Sequence, residues 1–257
     1  MPSKRRSAGH DDYVINIEDL HKTYQSSEEV SVSAIRGVSL KIRRGEFVSI
    51  MGPSGSGKST FMNILGFLDS PSGGKYYIDG IDGSDLSENR KAEIRNLKIG
   101  FVFQGFNLLS RTSAIENVEL PLFYKGGMNS SEMREKAKSL LAEVGLAGRE
   151  MHTPNRLSGG EQQRVAIARS LVNDPAIILA DEPTGNLDTK NTNDIMKLFN
   201  RLNKEKGLTI ILVTHEPEVA EFTDRCVVFR DGLIIRDFDI KKHKKVGYAE
   251  ATEAVLK

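Results

Sequence analysis

The chain has a single cysteine, Cys226, in 257 residues. One thiol excludes an internal disulfide framework and a cysteine-built zinc site, and it fits a reducing compartment. Cys226 lies in the strand-like run Cys226-Val227-Val228-Phe229, where its plainer reading is a small buried hydrophobe. Long apolar runs are also missing. No stretch approaches the ~20 residues that span a bilayer, and residues 1–12 lack the apolar centre of a secretory signal. The expected location is therefore the cytoplasm. Excess charge of one sign is absent as well, with 36 basic against 35 acidic residues. Nothing in that balance points to a nucleic-acid binder working through counterion release. Residues 1–12, with Lys4, Arg5 and Arg6 among Ser, Gly and Pro, hold too little apolar content to fold and read as a disordered tail. A second, solvated tail is expected over 238–257, where Lys241, Lys242, Lys244 and Lys245 cluster. Between the tails, a chain that is 39% hydrophobic overall can bury a full core, as one large α/β domain or a core with a smaller insertion.

The stretch Gly52-Pro53-Ser54-Gly55-Ser56-Gly57-Lys58-Ser59 fits G-x-x-x-x-G-K-[ST], a loop whose backbone N–H groups can wrap a phosphate chain. Its flanks suit it. The apolar run Glu46–Met51 reads as a buried strand, and Thr60 to Leu65 opens a helix. The glycines permit close backbone approach, the helix N-terminus adds partial positive charge, Lys58 can reach the β- and γ-phosphates, and Ser59 can ligate Mg²⁺.

Ahead of the loop, Tyr13 to Ile17, Ser31 to Ile35 and Val38 to Ile42 read as strands, with turns at Gly37 and Gly45. This predicts an antiparallel β-region. Tyr24 falls between the first two strands, either as a half-buried sheet tyrosine or as an aromatic face for a purine. After the loop, Gly74 to Asp79 reads as a strand, Asp85 to Asn96 as a helix, and Ile99 to Phe103 as a strand that places Gln104 at its C-terminal edge. Residues 105–170 read as an inserted helical subdomain. One of its helices carries Met133, Ala137, Leu140, Leu141 and Val144 on one face, with Ser130 or Ser131 as cap and Gly145 at C′. Near its end, Ser158, Gly159 and Gly160 open another helix, with uncovered N–H groups beside a hydroxyl, and read as a second anion-binding helix end.

The buried-type strand Ala176 to Ala180 delivers Asp181 and Glu182 at its C-terminal end, where open α/β sheets bind ligands. Asp181 can hold Mg²⁺ directly or through a water, and Glu182 can orient or deprotonate an attacking water. A solvated acidic turn is the plainer alternative. A helix over Thr189 to Lys206 comes next, then a strand over Leu208 to Val213 that ends at His215, either a cap or a catalytic group. Cys226 to Arg230 and Leu233 to Arg236 read as a hairpin across Asp231-Gly232.

Together these motifs resemble the ATP-binding cassette (ABC) ATPases from about Tyr13 to Asp237. Gly52 to Ser59 matches the family's Walker A loop, Gln104 its Q-loop, Leu157 to Arg164 its signature, and Ile177 to Glu182 its Walker B strand. Leu187-Asp188 matches the D-loop, His215 the switch histidine and Tyr24 the A-loop aromatic. The departures are Glu161, where many members carry Gln, and Gly185-Asn186, where Ser-Ala is frequent. The resemblance implies an α/β fold: a P-loop NTPase core with an N-terminal antiparallel β-subdomain and the inserted helical subdomain. It implies ATP and Mg²⁺ as cofactors, with Tyr24, Gly52 to Thr60, Ser158, Gly159, Gly160 and Asp188 at the nucleotide. Ser59, Gln104 and Asp181 would serve the metal, and Glu182, His215 and Gln104 catalysis. It further implies a head-to-tail homodimer holding ATP between the Walker A loop of one copy and the signature helix of the other. Phe103 to Leu109 and Glu116 to Leu122 look like the branch named for MacB and Lol proteins, which serves macrolide, peptide or lipoprotein export or release. The implied partner is a membrane permease, contacted after Gln104, which would place the chain on the cytoplasmic face of the membrane. Nucleic acid is not expected. The rival reading is a non-transport cassette ATPase, although no long heptad array separates Lys58 from Ser158. A pseudo-ATPase is disfavoured by the presence of Lys58, Asp181, Glu182 and His215 together.

Overall fold

A computed structural model describes residues 12–25 and 31–243. Residues 1–11 of the tail expected at 1–12, and the stretch beyond 243, lie outside them. In chain order the elements are β1 (Tyr13–Gln25), β2 (Ser31–Arg43), β3 (Phe47–Met51), α1 (Lys58–Leu65), β4 (Gly73–Ile78) and β5 (Ile81–Asp82). Then come α2 (Glu88–Lys98), β6 (Ile99–Phe103), α3 (Ala114–Lys125), α4 (Ser130–Glu143) and α5 (Gly159–Leu171). The remainder is β7 (Ile177–Asp181), α6 (Thr189–Lys206), β8 (Thr209–Val213), α7 (Pro217–Ala220), β9 (Arg225–Arg230), β10 (Leu233–Asp239) and α8 (Ile240–His243).

Two sheets carry the architecture. The larger runs β10-β9-β3-β8-β7-β6, with every neighbouring pair parallel except the β9–β10 hairpin. Its central strands β3 and β8 are buried at every residue, which is why they read as continuous apolar runs rather than alternating ones. Parallel pairing aligns the C-terminal ends of β3, β7 and β8 on one edge, and the Walker-type loop, Asp181-Glu182 and His215 all leave from that edge. The smaller sheet, β2-β1-β4-β5, is wholly antiparallel. Its strands β1 and β2 share a core with α1 and one face of the larger sheet, through Ile15, Ile35, Phe61, Tyr76 and Phe229. Helices α3, α4 and the start of α5 pack on a second core with Val118, Leu141 and Val165 at its centre.

Several expectations change. Gly37 is not a turn between two strands. It sits inside the continuous β2 at φ +87°, beside irregularities in the β1–β2 register, so the glycine provides a bulge. Tyr24 belongs to β1 rather than to a connection, because β1 runs on to Gln25. The antiparallel sheet is not built from the N-terminal segment alone, since β4 and β5 join it after the loop and α1. Asn129, not Ser130 or Ser131, caps α4, in a box with Glu132, and Gly145 follows the helix at φ +82° as expected. Helix α5 does not stay within the helical insertion. Its C-terminal half lies against β6, where Gly100 backs onto the Ser170 carbonyl too closely for any Cβ. Order also continues past Asp237: Phe238 and Asp239 pair with Cys226 and Arg225, and Ile240 is buried.

Candidate functional site

The loop after β3 closes around its own lysine. Lys58 opens α1 and is 7% exposed, and its Nζ donates to the carbonyls of Gly52 and Pro53, both at 2.8 Å. Burial pushes the Lys58 ammonium below its usual value, while the carboxylates of Glu182 and Asp181 pull the other way. The cation is therefore held ready inside a ring of dipoles. Gly57 takes φ +101° and forms the N-cap, with no side chain bonded over the first N–H groups and no acid in the first turn. Any Cβ there would press on the Ala34 carbonyl, so glycine is required for a close approach as well as for its dihedral angles. At Gly55, φ +78°, a Cβ would meet nothing within 4 Å, so that position faces open space.

A cleft of about 640 Å³ lies over this helix end. Ser54, Gly55, Gly57, Lys58, Ser59 and Thr60 line one side, and Glu182 and His215 another. Glu182 follows β7 with φ +44°, an uncommon angle for a residue with a side chain. Its N–H donates to Val213 on β8, and its Oε1 lies 2.8 Å from Nδ1 of His215. Asp181, one residue earlier, ends β7 and is half-buried. Burial raises its carboxyl above the ordinary range, Glu182 adds to the rise, and Lys58 opposes it.

The other predicted residues distribute unevenly. Gln104 follows β6, but its amide turns to Asn186: Nε2 donates to Asn186 Oδ1 at 3.4 Å, and Asn186 Nδ2 donates to the Gln104 carbonyl at 3.1 Å. Gly185 makes room for that amide, since a Cβ would lie 2.7 Å from Nε2. Gly185-Asn186, the departure from the more frequent Ser-Ala, is thus the partner surface of Gln104. Tyr24 is 40% exposed on β1, with Thr60 beside its phenol. Ser59, next to the buried lysine, is exposed and lines the cleft.

Ser158, Gly159 and Gly160 do not line the cleft. They form the start of α5, where Ser158 Oγ accepts the Glu161 N–H and Glu161 Oε2 accepts the Ser158 N–H at 2.8 Å. That capping box occupies the N–H groups of Ser158 and Glu161, and neither bond uses those of Gly159 or Gly160. Asp188 caps the adjoining α6 by accepting the Asn191 N–H at 2.8 Å. Gly160 allows α5 to lie against Asn191, and Gly159 faces Leu187. The starts of α5 and α6 thus lie against each other, outside the lining of the cleft.

Sequence reasoning missed Val32, Ser33, Ala34 and Arg36 of β2, and the Asp231-Gly232 turn, which wall the cleft on a further side. They arrive through tertiary bonds: Arg36 N–H donates to Gly232 O at 2.9 Å, and Gly232 N–H to Ser56 O at 3.0 Å. No local pattern signals a wall assembled that way.

As to what the site can hold, the uncapped α1 terminus, a buried lysine and open space at Gly55 fit a phosphate chain. Among the described residues no three His, Cys, Asp or Glu side chains gather to hold a metal alone. The Ser59 hydroxyl and Asp181 carboxylate are hard oxygen donors, which suit Mg²⁺ that keeps phosphate oxygens and waters in its shell.

Fold and site together define a P-loop NTPase with an antiparallel β-subdomain and a helical insertion. More narrowly, the chain belongs to the ABC transporter family, as one of its ATP-binding cassettes: the family profile described as "ABC transporter" matches residues 35–185. It is 54% identical over 222 residues to the "Uncharacterized ABC transporter ATP-binding protein YknY" of Bacillus subtilis, covering 86% of this chain and 95% of that one. It is 53% identical over 222 residues to the "Macrolide export ATP-binding/permease protein MacB" of Syntrophobacter fumaroxidans, covering 86% of this chain but 31% of that protein. The chain therefore spans about a third of the length of that relative. Among solved structures, the dimeric post-hydrolysis state of the ATP-binding cassette MJ0796 bound to ADP and Pi, a protein of Methanocaldococcus jannaschii, superposes with a TM-score of 0.80 at 49% identity. The match covers 88% of this chain and 98% of that one.

Proposed function

We propose that this chain hydrolyses ATP between two head-to-tail copies of itself and uses the cycle to drive a membrane permease of the macrolide-export or lipoprotein-release type. The observation that carries the catalytic part is the Glu182–His215 pair, 2.8 Å apart across the same cleft as Lys58. The loop N–H groups and Lys58 bind and orient the β- and γ-phosphates, with Lys58 exchanging its bonds to Gly52 and Pro53 for phosphate oxygens. Mg²⁺, held by Ser59, Asp181 and, through its amide oxygen, Gln104, would neutralise charge developing on the phosphates. Glu182 aligns a water and accepts its proton as the water oxygen bonds to the γ-phosphorus and the bond to the β–γ bridging oxygen breaks, leaving ADP and phosphate. His215 fixes the Glu182 carboxylate and the edge of the γ-phosphate. Ser158, Gly159 and Gly160, which do not line the cleft of their own chain, serve the nucleotide of the second copy, with Asp188 on the adjoining helix. The dimeric state of the MJ0796 cassette supports an assembly of two copies.

The permease reading draws on the fused ATP-binding/permease relative and on a groove of about 870 Å³ between α2, β6, α3 and the second half of α5. Phe101, Phe103, Pro121 and Tyr124 give it an apolar lining, and Arg169 also lines it. Among the described residues no helix is long and apolar enough to cross a membrane. Leu122, which ends the Glu116 to Leu122 stretch that resembles the MacB and Lol branch, is fully buried in the helical core, while Tyr124 is 77% exposed. The test of the reading is turnover: Glu182→Gln keeps the side-chain shape without its basicity and should lower ATP hydrolysis by at least ~10²-fold while ATP still binds. Near-normal turnover would remove Glu182 from the reaction.

A further inference from the structure

Tyr24 is held by a cluster that none of the motifs includes. Its hydroxyl donates to Oδ2 of Asp69 at 2.6 Å, and Lys22, two residues earlier on β1, donates to Oδ1 of the same carboxylate at 2.6 Å. Lys22 also donates to the Ser70 carbonyl at 2.8 Å, and its ammonium stands 4.7 Å from the centre of the Tyr24 ring, over one face. Asp69 is fixed in turn. Its N–H and that of Leu68 donate to the Asn63 carbonyl in the last turn of α1, and its Oδ1 accepts the Ser70 N–H at 2.7 Å. The following residues are stitched to β1, where Ser72 N–H donates to the His21 carbonyl and Ser72 Oγ accepts the Thr23 N–H. Burial opposes ionisation of Asp69, but the bonds from Lys22, Tyr24 and the Ser70 N–H hold its carboxyl below the usual range, so it is an anion at neutral pH.

A tyrosine that is 40% exposed near a strand end would ordinarily sample several ring orientations, and a base stacking on it would have to select one. Here the ring is tied at its hydroxyl end and covered on one face by a cation. We propose that Asp69 is a positioning residue for purine recognition: it fixes the Tyr24 ring by the hydroxyl, pins Lys22 against one face and leaves the opposite face to the adenine base. The backbone N–H of the same residue closes the end of α1 on the Asn63 carbonyl, and the other end of α1 carries Lys58, so the ring's place is set relative to the phosphate loop. This rests on the reading of Tyr24 as the stacking aromatic. It also alters the simplest expectation for that residue, that only the ring matters: removing the hydroxyl releases the ring from Asp69.

The experiment compares affinities of the full chain, with Mg²⁺, for ATP and for inorganic tripolyphosphate, which offers the phosphate loop a chain but no base. Loss of a hydrogen bond to a charged group that acts through ring placement predicts that Asp69→Ala weakens ATP about fivefold and tripolyphosphate about twofold or less. Tyr24→Phe should weaken ATP by about threefold, and in that background Asp69→Ala should add little, because the shared bond is already gone. Asp69→Asn, whose amide oxygen still accepts the phenol, should fall between wild type and Asp69→Ala. If Asp69→Ala weakens both ligands equally, or costs as much in the Tyr24→Phe background as in the wild type, Asp69 does not act through Tyr24 and the proposal is overturned. Tyr24→Ala separates the two claims. If it leaves the preference for ATP over tripolyphosphate intact, the stacking reading fails; if it abolishes the preference while Asp69→Ala preserves it, only the role of Asp69 fails.

Discussion

Helix α1 begins at Gly57 with no side chain over its first N–H groups and no acid in its first turn, whereas α5 begins inside a capping box that seats the Glu161 carboxylate on its own N-terminus. Both stretches look alike in sequence, as glycines and serines opening a helix. Under the proposed function, the difference teaches how one chain would carry two phosphate-binding ends of unequal strength. The α1 terminus presents its dipole and Lys58 to the cleft and needs no further partner. At α5 the dipole already faces an anion, balanced by Arg149 at 3.3 Å from Glu161 Oε1, so the Gly159 and Gly160 N–H groups compete with a built-in charge. In the proposed dimer such a terminus engages only a triphosphate brought by the second copy, which makes closure conditional on ATP.

The largest expected effect lies on the α1 side. Lys58→Ala removes charge-assisted bonds to the phosphates, worth together ~3 kcal/mol, and should weaken ATP on the order of 10²-fold in calorimetry while circular dichroism still reports the fold. Unchanged affinity would mean that α1 is not the primary site. On the α5 side, Ser158→Ala removes the cap and should lower stability by about 1 kcal/mol in denaturant unfolding, with the affinity of a single copy for ATP preserved. A loss of monomer affinity as large as that of Lys58→Ala would erase the distinction between the two ends.

The smallest effect concerns Glu161→Gln, which keeps the reach of the side chain but removes its charge. It should tighten ATP-driven dimerisation by about two- to fivefold, the scale of one charge at a helix end. It should also cost a few tenths of a kcal/mol of stability at neutral pH, a modest figure because the group is partly solvated. The Ser158 N–H holds the Glu161 carboxyl below the ordinary range despite some burial, so its folded value is depressed. The stability it contributes is present above the unfolded carboxylate value and is lost as pH falls through the folded one. The wild type should therefore converge on Glu161→Gln in acid, as followed by urea midpoints between pH 7 and pH 3. A difference that grows in acid would reverse the assignment.

Much of the fold and site was legible in the residues. Buried runs such as Ile177 to Ala180 and the all-apolar interior of β8 mark parallel strands, and the residues that leave the C-terminal ends of parallel strands share one edge. Lys58, Glu182 and His215 could therefore be brought together from the sequence alone. Capping chemistry was partly legible. The Ser158–Glu161 spacing is a capping-box pattern, but the glycines between them point equally to exposed N–H groups. The illegible part arose from long-range pairing. The β2 wall at Arg36 depends on a bond to Gly232, and the hold on Tyr24 comes from Asp69 across a loop and a helix, at separations where no periodicity carries information. Gly37 misled for a related reason: a positive-φ glycine marks a turn or a bulge equally well, and only the neighbouring strand decides between them.

The central claim, that α1 of one copy and α5 of another share each ATP, is tested most directly by sedimentation velocity of Glu182→Gln. Neutralising Glu182 stops hydrolysis from dissolving the complex and removes negative charge beside two triphosphates, so the variant should sediment as a monomer with ADP and as a dimer with ATP and Mg²⁺. Adding Ser158→Arg, which places bulk and charge at the α5 terminus, should return it to a monomer in ATP. A Glu182→Gln chain that stays monomeric in ATP across a range of salt, or a dimer indifferent to Ser158→Arg, would contradict the account.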